Sequence, residues 1–125
     1  MKPSILWLAY AANVVVLVPV VWSMFASGGT QGVFEGKVAD SPGLRLLVGS
    51  LWLAILLASV AGFLAPRFFA PLLLVQVVYK SAWLAAFVAP LTMREGWEAA
   101  PQGIAIAFAG IVATYPVIFW LGMRT

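Results

Sequence analysis

The chain has 125 residues, of which 64% are hydrophobic and only 9% charged, against about 25% charged residues in a soluble domain. So little polar surface cannot cover so much apolar side chain, which excludes a water-soluble fold and points to one membrane domain spanning 1–125. The net charge of +3 is the excess of seven basic over four acidic residues, and the basic ones are scattered singly, a pattern that suits a flank facing anionic lipid and not nucleic acid.

The first apolar run, Ile5 to Ala26, contains no charge and predicts a span over about 5–26. Lys2 and the sequence Ala26-Ser27-Gly28 raise the alternative of a signal peptide, but the run exceeds the ~7–15 residues of an apolar signal core. A Gly-rich polar connection follows, "SGGTQGVFEGKVADSPG" from Ser27 to Gly43, read as a short hairpin or a mobile loop. Asp40-Ser41-Pro42 is a helix start, a capping side chain followed by proline. It opens a second span over about 44–66. "APRFFAP", Ala65 to Pro71, is a tight turn that leaves Pro71 early in the next helix. The third span, about 68–91, holds one charge, Lys80. "TMREGWEAAP", Thr92 to Pro101, leads to a charge-free fourth span over about 102–123. Each run reaches the roughly 20 residues needed to cross a bilayer. The expectation is an all-α membrane protein with four transmembrane helices in an up-down-up-down bundle.

Orientation rests on the charges. One side collects Lys2, Arg67 and Arg124, the other Lys37, Arg45 and Arg94 with all four acids, Glu35, Asp40, Glu95 and Glu98. The first set lies in very short segments and the second is diluted by acids, which favours both termini in the cytoplasm of a bacterial cell. Trp97 and Trp120 fall near span ends, where tryptophan anchors at the interface.

Small residues mark possible packing faces. Ser50, Ala54, Ala58 and Gly62 recur every four residues on the second span, and Gly103, Ala107, Gly110 and Thr114 share a face of the fourth. Such stripes let backbones approach closely, either between spans two and four within the bundle or against a partner helix. Pro19 and Pro116 free the carbonyls of Val15 and Val112, as in kinked membrane helices.

Polar residues inside the spans carry the functional question. Gln76, Tyr79, Lys80, Trp83 and Phe87 share one helical face. Lys80 lies about 18 Å from one end of its span, near the midplane, where a charge costs at least ~2.5–3.5 kcal/mol and must face protein or water. Asn13, Ser59, Gln76, Thr114 and Tyr115 fall roughly 12 Å in, and predict a polar layer with Tyr79 and Lys80 just above it. No Asp or Glu occurs in any span, so Lys80 is neutral, or is held by carbonyls, amides and tyrosines, or meets a partner's acid or an anionic ligand, or else snorkels from a tilted helix or joins a polar knot that holds the bundle together.

Chemistry is narrowed by absences. Without cysteine or histidine the chain offers no disulfide, no thiolate, no usual haem or metal ligand and no histidine base. No nucleophile–base pair, paired carboxylate or metal set stands out, and the expectation is a non-enzyme with no cofactor beyond bound lipid. The first reading of function is an accessory or structural subunit of a larger membrane complex, partnered by another membrane protein or by itself. The second is a small oligomeric transporter or channel built around Lys80. "LLLVQVVYKSAWLAAFVAP", with its Gln76-x-x-Tyr79-Lys80-Ser81-x-Trp83 pattern, resembles a sequence found in small uncharacterised bacterial membrane proteins of four spans. The resemblance implies the fold and carries no activity.

Overall fold

The computed structural model describes residues 4–26, 33–35, 37 and 41–124. Lys2, Asp40 and most of the Ser27–Asp40 connection lie outside the described residues. Four helices are long and apolar enough to cross a membrane: α1 (Leu6–Phe25), α2 (Pro42–Gly62), α3 (Pro71–Glu95) and α4 (Gln102–Met123). The described residues contain no strand. In a lipid environment this is what the backbone demands, because each N–H and C=O must find its partner within the segment.

The helix ends are finished by side chains. The Ser4 hydroxyl accepts the N–H of Leu6 at the start of α1. At its far end, Arg45 of α2 donates to the carbonyls of Met24 and Ala26, at 2.6 and 3.0 Å. Arg67 donates to the carbonyl of Met123 at the end of α4. In both cases a cation neutralises the negative end of a helix and occupies carbonyls that have no partner within it. Pro42 and Pro71 stand in the first turns of α2 and α3, where a missing N–H costs nothing. Ser41 precedes α2 but makes no side-chain cap. Helices α1 and α4 run on through Pro19 and Pro116.

Helix α3 departs from regular geometry. Leu84–Val88 form a π-helical turn between two α-helical stretches. It lies just ahead of Pro90, which has no N–H to offer Ala86, and a widened turn absorbs that lost bond. The face expected to continue from Lys80 through Trp83 to Phe87 is therefore interrupted. Phe87 still stacks on Trp83, at 5.4 Å between ring centroids, but the buried residue beyond Trp83 is Val88.

The close helix pairs are α1 with α2, α3 with α4, and α1 with α4. One apolar cluster surrounds Leu6, Tyr10, Leu73 and Tyr115, at the end of the bundle that holds the Ala65–Ala70 turn. There the Tyr10 hydroxyl donates to the carbonyl of Pro66 at 2.6 Å. A second cluster surrounds Leu17, Met24, Trp52 and Phe108, toward the end where α1 leads into α2 and α3 into α4. Val33 and Phe34 pack onto this second cluster, and Phe34 meets Trp52 and Trp83 at 6.3 and 6.0 Å. Asn13, Ser59 and Gln76 fall along their helices between members of the two clusters.

Candidate functional site: Lys80 in an apolar cleft

Buried polar side chains need partners, and those expected to form one layer form two separate groups. The first is a knot of three helices. Asn13 of α1 donates its amide to the Ser59 hydroxyl of α2 at 2.9 Å, and Ser59 donates onward to the carbonyl of Ile55. Tyr115 of α4 donates to the Oδ1 of Asn13 and lies 3.2 Å from the carbonyl of Ala9. Each side-chain polar group in this knot has a partner.

The second group centres on Lys80, only 3% exposed. Its side chain folds back one turn, and Nζ donates to Gln76 Oε1 at 2.9 Å. It does not snorkel toward either end of the helix. The ammonium also lies over two aromatic faces, 5.1 Å from the centroid of Tyr79 and 4.9 Å from that of Phe108. Both contacts fall within the range of a cation–π attraction. Trp52 of α2 donates its indole N–H to the Tyr79 hydroxyl at 3.1 Å, which holds the tyrosine in place. Gln76 is fully buried, and its Nε2 has no hydrogen-bond partner among the described residues.

Thr114 joins neither group. It neighbours Tyr115, which points inward, so a turn of about 100° per residue carries Thr114 to the outer face. There its hydroxyl bonds the carbonyl of Gly110 in its own helix. The small-residue stripes also separate. Gly62 is buried, and a Cβ there would stand 2.8 Å from the Tyr10 ring. Ser50 and Ala54 are exposed and Ala58 is half-buried. On α4, Ala107 is half-buried, while Gly103 and Gly110 are exposed. Helices α2 and α4 are not among the close pairs. They meet instead through long side chains, such as Trp52 edge-on to Phe108. The two stripes thus do not face one another as a packing seam.

Beside Lys80 is a half-open cleft of about 320 Å³. Leu17 and Val16 of α1 and Ile104, Ala107 and Phe108 of α4 form apolar walls, and Trp52 and Lys80 lie deeper in the bundle. Asn13 also lines it, with its amide already engaged by Ser59 and Tyr115. Glu35 lines the cleft at the loop end, where its Oε2 accepts the N–H of Gly103 at 2.7 Å. This bond satisfies a free donor in the first turn of α4 and sets a carboxylate against the positive helix end. Sequence reasoning placed Glu35 in a loop and missed both its contact with α4 and its share in the cleft. It also missed Trp52 and Phe108. The run Trp52, Ile55, Ser59, Gly62, all buried and spaced by three or four, is the periodicity that marks the inward face of α2.

No protein-family model matches the chain, and no curated protein or solved structure is similar enough to count as a match.

Proposed function

We propose that this small multi-pass membrane protein binds a negatively charged guest in the cleft beside Lys80, acting as a binding protein or carrier within the bilayer. One observation supports this reading above others. Lys80 lines a cleft while buried, with Gln76 as the hydrogen-bond partner of its ammonium and no acid bonded to it among the described residues. A charge kept at such depth is expensive unless something repeatedly meets it. The sequence alone ranks an accessory subunit first, with a partner's acid as one of several candidate counter-ions. A lysine turned into its own bundle is poorly placed for an acid arriving from another helix. The proposal is of binding without catalysis, in keeping with a chain that lacks histidine and cysteine.

The test is thermal unfolding of the protein in phosphatidylcholine nanodiscs against a series of sodium salts that includes chloride, phosphate and carboxylates of increasing length. A saturable rise with at least one anion, kept by Lys37→Met and lost in Lys80→Met, is the expected result. If no anion distinguishes the wild type from Lys80→Met, the reading is wrong.

A second reading, assembly into a larger membrane complex, draws on a different observation: Ser50 and Ala54 lie exposed along one face of α2. A helix of another protein could approach there closely. Native mass spectrometry after mild extraction tests it, since a reproducible heavier complex lost in Ala54→Leu would favour assembly.

A further inference from the structure

Resting on the binding function proposed above, we infer the class of guest: a lipophilic monocarboxylate, an apolar body of modest size seated with its carboxylate on Lys80. Four features of the cleft lead there.

The first is size. Ligand pockets usually enclose roughly 300–1,000 Å³, and this cleft, at about 320 Å³, lies at the small end. The second is the wall. Leu17, Ile104, Ala107 and Phe108 offer only apolar surface. The polar groups nearby are mostly committed, Asn13 to Ser59 and Tyr115, and the Trp52 indole to Tyr79. A chloride or phosphate ion would leave most of this volume to water against surfaces that do not hold it. An apolar body fills the same space favourably.

The third feature is charge. Glu35, at the loop end of the cleft, is set against the positive end of α4; Lys80 brings one positive charge, and a single carboxylate beside it gives a local pair of zero net charge. A dianion would leave one uncompensated charge in the membrane. Donor count agrees. An ammonium has three N–H groups, and Gln76 is its one hydrogen-bond acceptor among the described residues, beside the Tyr79 and Phe108 rings that a carboxylate would outcompete.

The fourth is access. From the loop end an anion must pass Glu35, whose carboxylate repels it. Between α1 and α4 the cleft is rimmed by Val16, 40% exposed on the surface that faces lipid. A lipophilic acid dissolves in the bilayer and arrives by that side.

The test is saturation binding of labelled decanoate and labelled 1-naphthoate to the full chain in phosphatidylcholine nanodiscs, with empty discs as the control and decanol as the uncharged comparison. Saturable binding of either acid is expected, with decanol much weaker. Decanoate alone marks an aliphatic guest and naphthoate alone an aromatic one. Lys80→Met weakens binding by about tenfold or more, as loss of one partner of a buried charge pair does. Ala107→Leu fills the cleft, keeps Lys80, and also loses saturable binding. It decides the matter should Lys80→Met fail to fold. The inference is overturned if neither acid binds above empty discs, if decanol binds as well as decanoate, or if both variants bind like the wild type. Stabilisation by chloride or phosphate without binding of either acid would overturn the guest class and leave the binding function standing.

Discussion

Tyr115 of α4 donates its hydroxyl to Asn13 of α1, 102 positions away in the chain, and the same Asn13 reaches α2 through Ser59. One amide thereby ties three of the four helices at a single level. Within a membrane such bonds average about 0.6 kcal/mol and reach about 1.7 kcal/mol, because an unfolded chain in lipid also finds partners.

Asn13→Ala is therefore expected to destabilise the bundle by about 1 kcal/mol, and Tyr115→Phe by a similar amount. The two share a bond, so the double variant should lose less than their sum. Unfolding in mixed micelles of increasing denaturing detergent measures all three. Strict additivity would mean that the contact contributes nothing of its own.

Gly62 and Gly110 sit on similar small-residue stripes with opposite surroundings. A Cβ at Gly62 meets the Tyr10 ring at 2.8 Å, whereas one at Gly110 has nothing within 4 Å. Gly62→Ala is expected to cost about 1–3 kcal/mol, as overpacking does. Gly110→Ala should leave stability unchanged or raise it by up to about 1 kcal/mol through better helix propensity. Detergent unfolding of the two variants side by side provides the comparison, and equal effects would contradict the packing described.

Glu35 bonds the first turn of α4 from a loop, and Lys37 donates to the carbonyl of Glu98 at 2.7 Å. Together these bonds fasten Glu35 and Lys37 to the loop end of the bundle. Glu35→Ala removes a cap of about 1 kcal/mol. Its expected signature is faster hydrogen exchange at Gly103 and its neighbours with little change at Tyr115. Unaltered exchange at Gly103 would argue against the latch.

Because the chain has no cysteine, single cysteines report orientation cleanly. With both termini in the cytoplasm, Glu98→Cys should react with a membrane-impermeant maleimide in intact cells, and Arg124→Cys only after the cells are opened. The reverse pattern would invert the orientation. Basic residues are not placed by orientation alone: Arg45 and Arg67, one on each side, are both employed in finishing helix ends. Their positions answer to packing as well as to topology.

Four spans and the turn at Ala65–Ala70 were legible because length and hydropathy determine them, and Pro71 marked the start of α3. How each helix is rotated about its axis was much harder to read. In water an apolar stripe shows which side faces inward, but here the lipid-facing side is apolar too. Leu57 and Val60 are exposed while Ile55 is buried, and hydropathy does not distinguish them. Polar residues were the better guide, and Asn13, Ser59, Gln76, Lys80 and Tyr115 are all buried. Thr114 misled because its hydroxyl closes on its own helix and tolerates lipid. Glu35 could not be foreseen, since its bond joins residues 68 positions apart in the chain.

The π-helical turn at Leu84–Val88 has a practical corollary for mapping this protein. One extra residue in a turn advances the phase of everything after it by about 100°. A scan along the third span would trace one periodic pattern up to Trp83 and a second, offset pattern from Ala89 onward. A single wheel drawn through both would scatter its signal and suggest a disordered segment where the helix is continuous. Deleting one residue between Leu84 and Val88 should bring the halves into a common phase, at the expense of turning Val88 away from Ala100 and Ala105.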